Sequence, residues 1–414
     1  MTQEKKLLVI GFVWPEPNSS AAGTRMLQII QCFKQDGYKI VFASAASDSE
    51  HMVALDDFVI EKVAIELNAS SFDVFIKDLQ PSVVLFDRFM TEEQFGWRVA
   101  ENCPKALRIL DTEDLHCLRL ARQKAFKANV KFTTDLLLKE EVAKREIASI
   151  LRSDVSIMIS KYEIELLTTI FNIDSGLLFY MPFLLDTMNV KDLAKLPSFH
   201  DRKDFVFIGN FLHEPNWNTV QYLKETIWPL IRKQKSDAVL NVYGAYPSQK
   251  VLQLHNPKEG FYIKGRAENA QEVIQKARVL LAPIRFGAGL KGKLVEAMLY
   301  GTPTLTSSVG AEAMRGNLDW NGFIEDESQS FAKAAIALYE DEYLWLKSQK
   351  KGIDIVNHCY SKLDYVTNFM STISLLLENM ETHRLQNFMG TMLMHHSLQS
   401  TKYMSRWIEE KNRK

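Results

Sequence analysis

Short apolar runs alternate with amphipathic stretches along almost the whole chain. The runs Leu7–Val13, Lys39–Ala45, Ser82–Phe86, Leu107–Leu110, Asp154–Ile159 and Leu177–Tyr180 predict strands. Between them Ala21–Gln35, Ser71–Leu79, Glu92–Asn102, Leu115–Lys131, Thr134–Leu151 and Tyr162–Phe171 predict helices. The alternation falters over Asp186–Lys203, a polar stretch containing Pro197, and a linker is expected there. It then restarts with strands at Phe205–Ile208, Ala238–Tyr243, Phe261–Lys264, Val279–Ile284 and Thr304–Ser307, separated by helices at Pro215–Lys233, Asn269–Lys276 and Leu290–Leu299. After about Gln329 the pattern is helical. Strand–helix alternation implies an α/β fold of two parallel-sheet domains with helices on both faces of each sheet. The expected division is 1–188, 200–358 and a helical 359–414.

A length of 414 residues suits two such domains. A formal charge of −1 provides no overall field for nucleic acid, and none is expected as a partner. The four cysteines, Cys32, Cys103, Cys117 and Cys359, lie far apart and form no metal or disulfide framework. The apolar run after Lys5-Lys6 leads into Pro-Glu-Pro with no small-residue cleavage site, so a first strand is expected rather than a signal peptide. No stretch approaches the roughly 20 apolar residues that span a bilayer. The expected location is cytoplasmic, extending to the inner face of a membrane.

The stretch PIRFGAGLKGKLVEAMLYGTPTLT, Pro283 to Thr306, carries the densest chemistry. An apolar strand runs into Gly287-Ala288-Gly289-Leu290; Lys291 and Lys293 follow as a helix opens, with Glu296 one turn inside it. Glycines let backbone approach a ligand closely. A helix N-terminus offers oriented N–H groups, and two lysines add full charges, which together suit a diphosphate. An ionised Glu296 is an acceptor fit for sugar hydroxyls. The stretch resembles the donor-site signature of GT-B glycosyltransferases of the family 4 type (glycosyl transferases group 1), which use nucleotide-diphosphate sugars. That resemblance implies two Rossmann-like domains facing a cleft, with Glu296 on the donor ribose and the glycines and lysines on the diphosphate. Many members carry a further glutamate where this chain has Ala288, so the donor sugar must be recognised by other residues.

Other segments fit the same plan. The loop Trp14–Thr24, with Ala22-Gly23 in place of the family's glycine pair, either faces donor and acceptor or is an ordinary turn capped by Ser19 or Ser20. Asp111-Thr112-Glu113-Asp114-Leu115-His116 resembles the family's acceptor-side D-x-x-D-x-H segment, which makes Asp114 and His116 the candidate catalytic residues. The alternative is an acidic helix start with His116 at the surface. Gly209-Asn210 stands where relatives place Gly-Arg, and no lysine follows before Lys224, so Arg285, Lys291 and Lys293 are expected to supply the missing charge. Gly265-Arg266 would lie near the nucleotide base, or form a plain turn. Lys124, Lys127 and Lys131 share one arc of a helix, while Arg122 projects from the apolar side and is expected to reach a carboxylate or phosphate in the cleft.

With neither a His/Cys ligand cluster nor a D-x-D triplet, no metal is expected, and no cofactor beyond the nucleotide-sugar co-substrate. The resemblance implies retention of anomeric configuration, a glycan or lipid-linked acceptor and a setting in surface-glycan or lipopolysaccharide assembly. Three functions stay open: a sugar transferase, a GT-B nucleotide-sugar epimerase that needs no acceptor, and a non-catalytic subunit that keeps the fold. The tail His383–Lys414 mixes basic residues with Met392, Leu393, Met394, Tyr403 and Trp407, and either lies on a membrane or partner or packs along the first domain. Its His395-His396 pair is too little for a metal site.

Overall fold

The computed structural model describes residues 4–413, apart from the side chains at 396–398. His396 and Lys414 of the basic tail therefore lie outside the described residues.

The apolar runs become two parallel sheets. The first contains β1 (Lys6–Gly11), β2 (Lys39–Ser44), β3 (Glu61–Ala64), β4 (Val83–Asp87), β5 (Leu107–Asp111), β6 (Val155–Met158) and β7 (Leu178–Tyr180), in the order β3-β2-β1-β4-β5-β6-β7. The second contains β8 (Lys203–Ile208), β9 (Leu240–Tyr243), β10 (Phe261–Gly265), β11 (Ala277–Ala282), β12 (Thr304–Thr306) and β13 (Gly322–Ile324), in the order β10-β9-β8-β11-β12-β13. Side chains alternate across each strand, so Leu8 and Ile10 enter one apolar cluster of the first sheet while Leu7 and Val9 enter the cluster on its other face. Strand order reverses between β1 and β4 in one sheet and between β8 and β11 in the other. Such switch points open a crevice at the carboxyl ends of the strands, where ligands of doubly wound sheets bind.

Differences from the sequence reading have local causes. The strands β3 and β13 were not expected: β3 is a largely exposed edge strand without apolar alternation, and β13 has three residues. The helix expected over 115–131 ends at Lys127, where Asn129 takes a left-handed conformation with φ 54°. The stretch 134–151 is two helices, Thr134–Leu138 and Glu141–Arg152, because Glu140 turns extended and pairs its carboxylate with Lys124 at 2.6 Å. Within 214–234 the helix widens to a π turn over Leu223–Ile227 just before Trp228-Pro229. Proline has no N–H for the regular ladder, and a widened turn relieves its ring against the preceding carbonyl.

The chain crosses between domains twice, and the crossings meet where Leu185 pairs with Ser361. The returning helix Lys362–Glu378 buries Phe369 and Ile373 in the first domain, with Phe369 edge-on to Phe33 at 5.5 Å. The tail helix Phe388–Asn412 packs along the first domain, against the helices Glu141–Arg152 and Arg88–Asn102. Gly390 allows it to approach the Leu151 carbonyl, since a Cβ there would lie 2.1 Å away. Arg384 fastens its entry with two 2.7 Å bonds to Asp154, which also pairs with Arg108 at 3.3 Å. Phe388, Met389, Tyr403, Met404 and Trp407 face outward.

Burial raises the Asp154 carboxyl, but the Arg384 and Arg108 guanidiniums outweigh it and hold its pKa below the ordinary value. A lowered carboxylate pKa stabilises the fold above about pH 4, and that contribution fades as pH falls through the folded-state value. Arg384→Ala should therefore lower stability by about 2–3 kcal/mol at pH 7, and by clearly less at pH 3, in urea unfolding. An equal loss at both pH values would contradict this account.

Candidate functional site

The loops after β8 and β11, at the second sheet's switch point, are built around close backbone approach. Gly209 leaves the space occupied by its neighbours: a Cβ there would lie 2.7 Å from Lys293 Nζ and 2.8 Å from Asn216. Lys293 donates to Asn216 Oδ1 at 2.5 Å and lies over the Phe207 ring at 4.3 Å. Lys291 turns back onto its own loop, donating to the Gly289 carbonyl at 2.6 Å and the Ala288 carbonyl at 3.2 Å. Glu296 borders a cavity of about 40 Å³ with Thr24, Gln28 and Phe183, enough for a water molecule. Burial lowers Lys293 to about 7 against the pull of Glu296, and raises Glu296 to about 7 against the pull of Lys293.

The rest of that loop faces the first domain. Gly289 has φ 62° and sits so close to Asp114 that a Cβ would lie 2.9 Å from the Asp114 Cβ. Its N–H donates to Glu163 Oε1 at 2.7 Å. The Gly287 carbonyl accepts from Arg122 at 2.9 Å, and Ala288 joins the first domain's apolar cluster. Leu290 packs with Ile284 and Leu294 beside Ile159 and Phe183 of the first domain. Arg285 takes a different direction from the two lysines. Its Nε donates to Asn218 at 2.9 Å, and its guanidinium lies between Tyr222, at 4.3 Å, and Phe126, at 4.6 Å.

Asn210 makes a turn: its side-chain oxygen accepts from Leu212 N and its carbonyl accepts from Asn216 Nδ2, both at 2.9 Å. Gly265 has φ 73° with open space around it, and Arg266 Nε reaches Ser19 Oγ of the first domain at 3.4 Å. Gly23 serves folding of its own loop, since a Cβ there would lie 2.6 Å from the Glu16 backbone, while Ser20 caps the helix at Gly23 N. Glu16 accepts from Tyr246 Oη at 2.9 Å across the domain boundary.

Asp114 and His116 are adjacent, with His116 Nε2 3.3 Å from Asp114 Oδ1. Burial raises Asp114, but Arg119, bonded at 2.7 Å, and His116 prevail and hold it well below the carboxylate range. His116 is lowered to about 4, chiefly by burial and against Asp114, so the ring is neutral at pH 7. Its helix start is capped from elsewhere: Glu146 accepts from His116 N at 2.9 Å and Cys117 N at 2.8 Å. Burial raises Glu146 to about 7.

At the first sheet's switch point, β4 and β5 end in Asp87 and Asp111, opposite buried Arg25, which bonds Asp111 at 3.2 Å. Asp87 accepts from Phe12 N at 3.0 Å. One oxygen each on Asp87, Asp111 and Glu113, and Arg25 Nε, has no protein partner. Arg88 and Glu113 both hold positive φ, 70° and 61°, and burial raises Glu113 to about 8. A buried set with unmet hydrogen-bonding capacity is suited to hydroxyl groups or water.

Arg122 crosses the cleft as its place on the helix predicts, and meets Glu312 in a two-point pair at 2.8 and 2.7 Å. Lys127 meets Glu214 at 3.1 Å, and Lys124 pairs within its own domain. Glu163, Glu146, Glu312 and Asp87 escaped the sequence reading. Each comes from a segment remote from its partners and lies in no recognisable spacing; only the position of Asp87 at a strand end carried a signal.

Residues 202–341 match the family model for glycosyl transferases group 1. A search of the curated proteins finds no match to the chain. Among solved structures, a mutant of S. aureus TarM bound to fondaparinux, alpha-GlcNAc-glycerol and UDP is similar with TM-score 0.56 and 12% identity, over 72% of this chain and 57% of TarM. The chain thus spans little more than half of TarM. Sucrose-phosphate synthase from Thermosynechococcus elongatus aligns with TM-score 0.63 and 13% identity, over 91% of this chain and 100% of that one. Anabaena Alr3699/HepE in complex with UDP and glucose aligns with TM-score 0.65 and 13% identity, over 90% of this chain and 100% of that one. At these identities the likeness establishes the fold, that of GT-B glycosyltransferases.

Arg122→Ala removes the two-point pair with Glu312 and should weaken domain closure by roughly 2 kcal/mol. Small-angle scattering should then show a larger radius of gyration than wild type, with far-UV dichroism unchanged. An unchanged radius would mean that the seam closes without this pair.

Proposed function

We propose that this chain, a GT-B glycosyltransferase by its fold and by the group 1 family of its second domain, moves a sugar from a nucleotide-diphosphate donor to an acceptor hydroxyl. The observation that carries the reading is the convergence of Lys293, Glu296 and the Gly209 backbone at the β8/β11 switch point. Cleavage of a glycosyl phosphate bond leaves negative charge on the departing diphosphate. Fixed cations and oriented dipoles facing that charge stabilise the transition state. Lys293 and Lys291 are placed to do so once the ligand draws them from their present carbonyl and amide partners. Glu296 then accepts from the ribose hydroxyls. The UDP-bound neighbours make UDP the first nucleotide to test.

The acceptor belongs on the facing side, where Asp87, Asp111 and Glu113 hold unused acceptor capacity and Asp114–His116 border the donor loop. With His116 neutral and Asp114 ionised, the pair can orient an acceptor hydroxyl. Retention of configuration, independence from metal and a role in surface-glycan assembly are proposed by family resemblance. The outward Phe388–Trp407 face of the tail is proposed as the place of any contact with a membrane holding a lipid-linked acceptor.

Thermal unfolding with UDP, GDP, ADP and CMP, with and without EDTA, tests the donor site. One nucleoside diphosphate should raise the midpoint, corresponding to about 2.7 kcal/mol at a hundredfold excess over Kd. EDTA should leave the shift intact, and Glu296→Ala should remove most of it. No shift with any nucleotide would sink the donor reading, and a shift abolished by EDTA would sink metal independence.

Nucleotide affinity should also depend on pH in a stated direction. A dianion favours the charged form of Lys293, whose lowered pKa leaves it increasingly neutral above pH 7. Affinity should therefore fall as pH rises from 7 to 9, and Lys293→Arg, charged throughout, should flatten that fall. Calorimetric titration across this range measures both; a wild-type affinity independent of pH would refute the assignment.

A further inference from the structure

A cavity of about 740 Å³ opens at the amino ends of β5 and β6, where the end of the helix Lys362–Glu378 and the start of the tail helix Phe388–Asn412 meet the first domain. It lies at the far end of the sheet from the cleft, and every residue lining it falls outside the 202–341 stretch of the family model. Its size is that of a small-molecule site. Three guanidiniums border it. Arg384 is spent on Asp154 and on the Pro104 and Ala106 carbonyls, and Arg152 on Glu92. Arg108 is not spent. Its Nη2 reaches Asp154 at 3.3 Å, its Nε is buried without a protein partner, and its Nη1 meets the Met394 sulfur at 3.6 Å. A thioether is a weak acceptor, and a guanidinium with unmet N–H groups is costly to bury. Asp154 offsets one of the two arginines it holds, which leaves one positive charge beside the cavity. Leu377, Met380 and Leu385 add apolar wall, while Lys105, Glu378 and Glu381 line it from exposed positions.

We propose that this cavity binds an amphipathic anion, its carboxylate or phosphate head on the Arg108 guanidinium and its apolar body against Leu377, Met380 and Leu385. Either head offers the paired oxygens that a guanidinium's fork of donors takes. Met394 is the side chain that gives way. It is unbranched and turns about three bonds, so its sulfur can leave Arg108 and its methyl end can join the apolar wall. The bound anion touches Arg108 on the first domain and Leu385 and Met394 on the tail, and so fastens one to the other.

The test is calorimetric titration of octyl phosphate, octanoate, octanol and inorganic phosphate, below micelle-forming concentrations, into wild type, Arg108→Met and Leu385→Glu. At least one octyl anion should bind wild type, with octanol and inorganic phosphate roughly tenfold weaker or more, since neither joins a charged head to an apolar body. Arg108→Met leaves Asp154 both its Arg384 bonds and the backbone N–H of residue 108 at 2.8 Å, so the fold should survive, which far-UV dichroism checks. It should bind the anion about tenfold more weakly, the loss of one charge-assisted hydrogen bond. Leu385→Glu, at an exposed position, should weaken binding as well, and it decides the matter if Arg108→Met is unfolded. Sedimentation with phosphatidylcholine vesicles, with and without phosphatidylglycerol, separates two sources of the anion. Capture by the anionic vesicles that Arg108→Met loses marks a bilayer lipid, and octyl-anion binding without capture marks a soluble ligand. The proposal is overturned if wild type binds neither octyl anion, if octanol or inorganic phosphate binds as tightly, or if the folded variants bind as wild type does.

Discussion

The carboxyl of Glu163 joins the two halves of this molecule. It sits on a helix of the first domain, fully buried, and accepts from Leu115 N at 3.1 Å and Gly289 N at 2.7 Å. One oxygen thereby fixes both the start of the Asp114–His116 segment and the turn of the donor loop. Burial raises its pKa to about 8, and two backbone donors and the more distant Lys291 favour the ionised form. The arrangement brings the Gly289 backbone against Asp114. Ala288 can then fill the first domain's apolar cluster, and Arg122 can span to Gly287 and Glu312.

This closure has a consequence for the donor site. Several groups suited to a diphosphate are engaged in protein contacts: the Gly289 amide by Glu163, Lys291 by its own loop, Lys293 by Asn216. The lysines rest on neutral oxygens, and a phosphate offers a charged acceptor, which makes a stronger hydrogen bond. On the proposed donor reading, ligand binding would exchange these partners within a formed site, with burial holding Lys293 and Glu296 each at a pKa of about 7.

The α/β alternation and the two sheets were legible because each rests on local periodicity, and strand cores such as Leu7–Ile10 and Val279–Ala282 are continuous apolar runs. The edge strands β3 and β13 were not, because exposed or very short strands carry no such pattern. Of the candidate site residues, the 287–296 run stood out because its glycines, lysines and glutamate lie within one loop and one helix turn. Arg122 was legible for a different reason: an arginine on the apolar arc of a helix needs a carboxylate partner.

Sequence alone determined the buried strands of both sheets, where the Gly-rich loop opens its helix, and which charges that loop carries. Tertiary structure alone decided what those charges face. Glu163, Glu312 and Asp87 are brought to the cleft by strand order and by the meeting of two domains, and no spacing along the chain encodes either. The same holds for the surroundings of Gly23 and Asn210, which the sequence offered as donor-site residues and which also shape their own loops. A glycine or an asparagine serves either purpose equally well in isolation. The backbone atoms packed against it are contributed by the fold, and they decide what shape its loop takes.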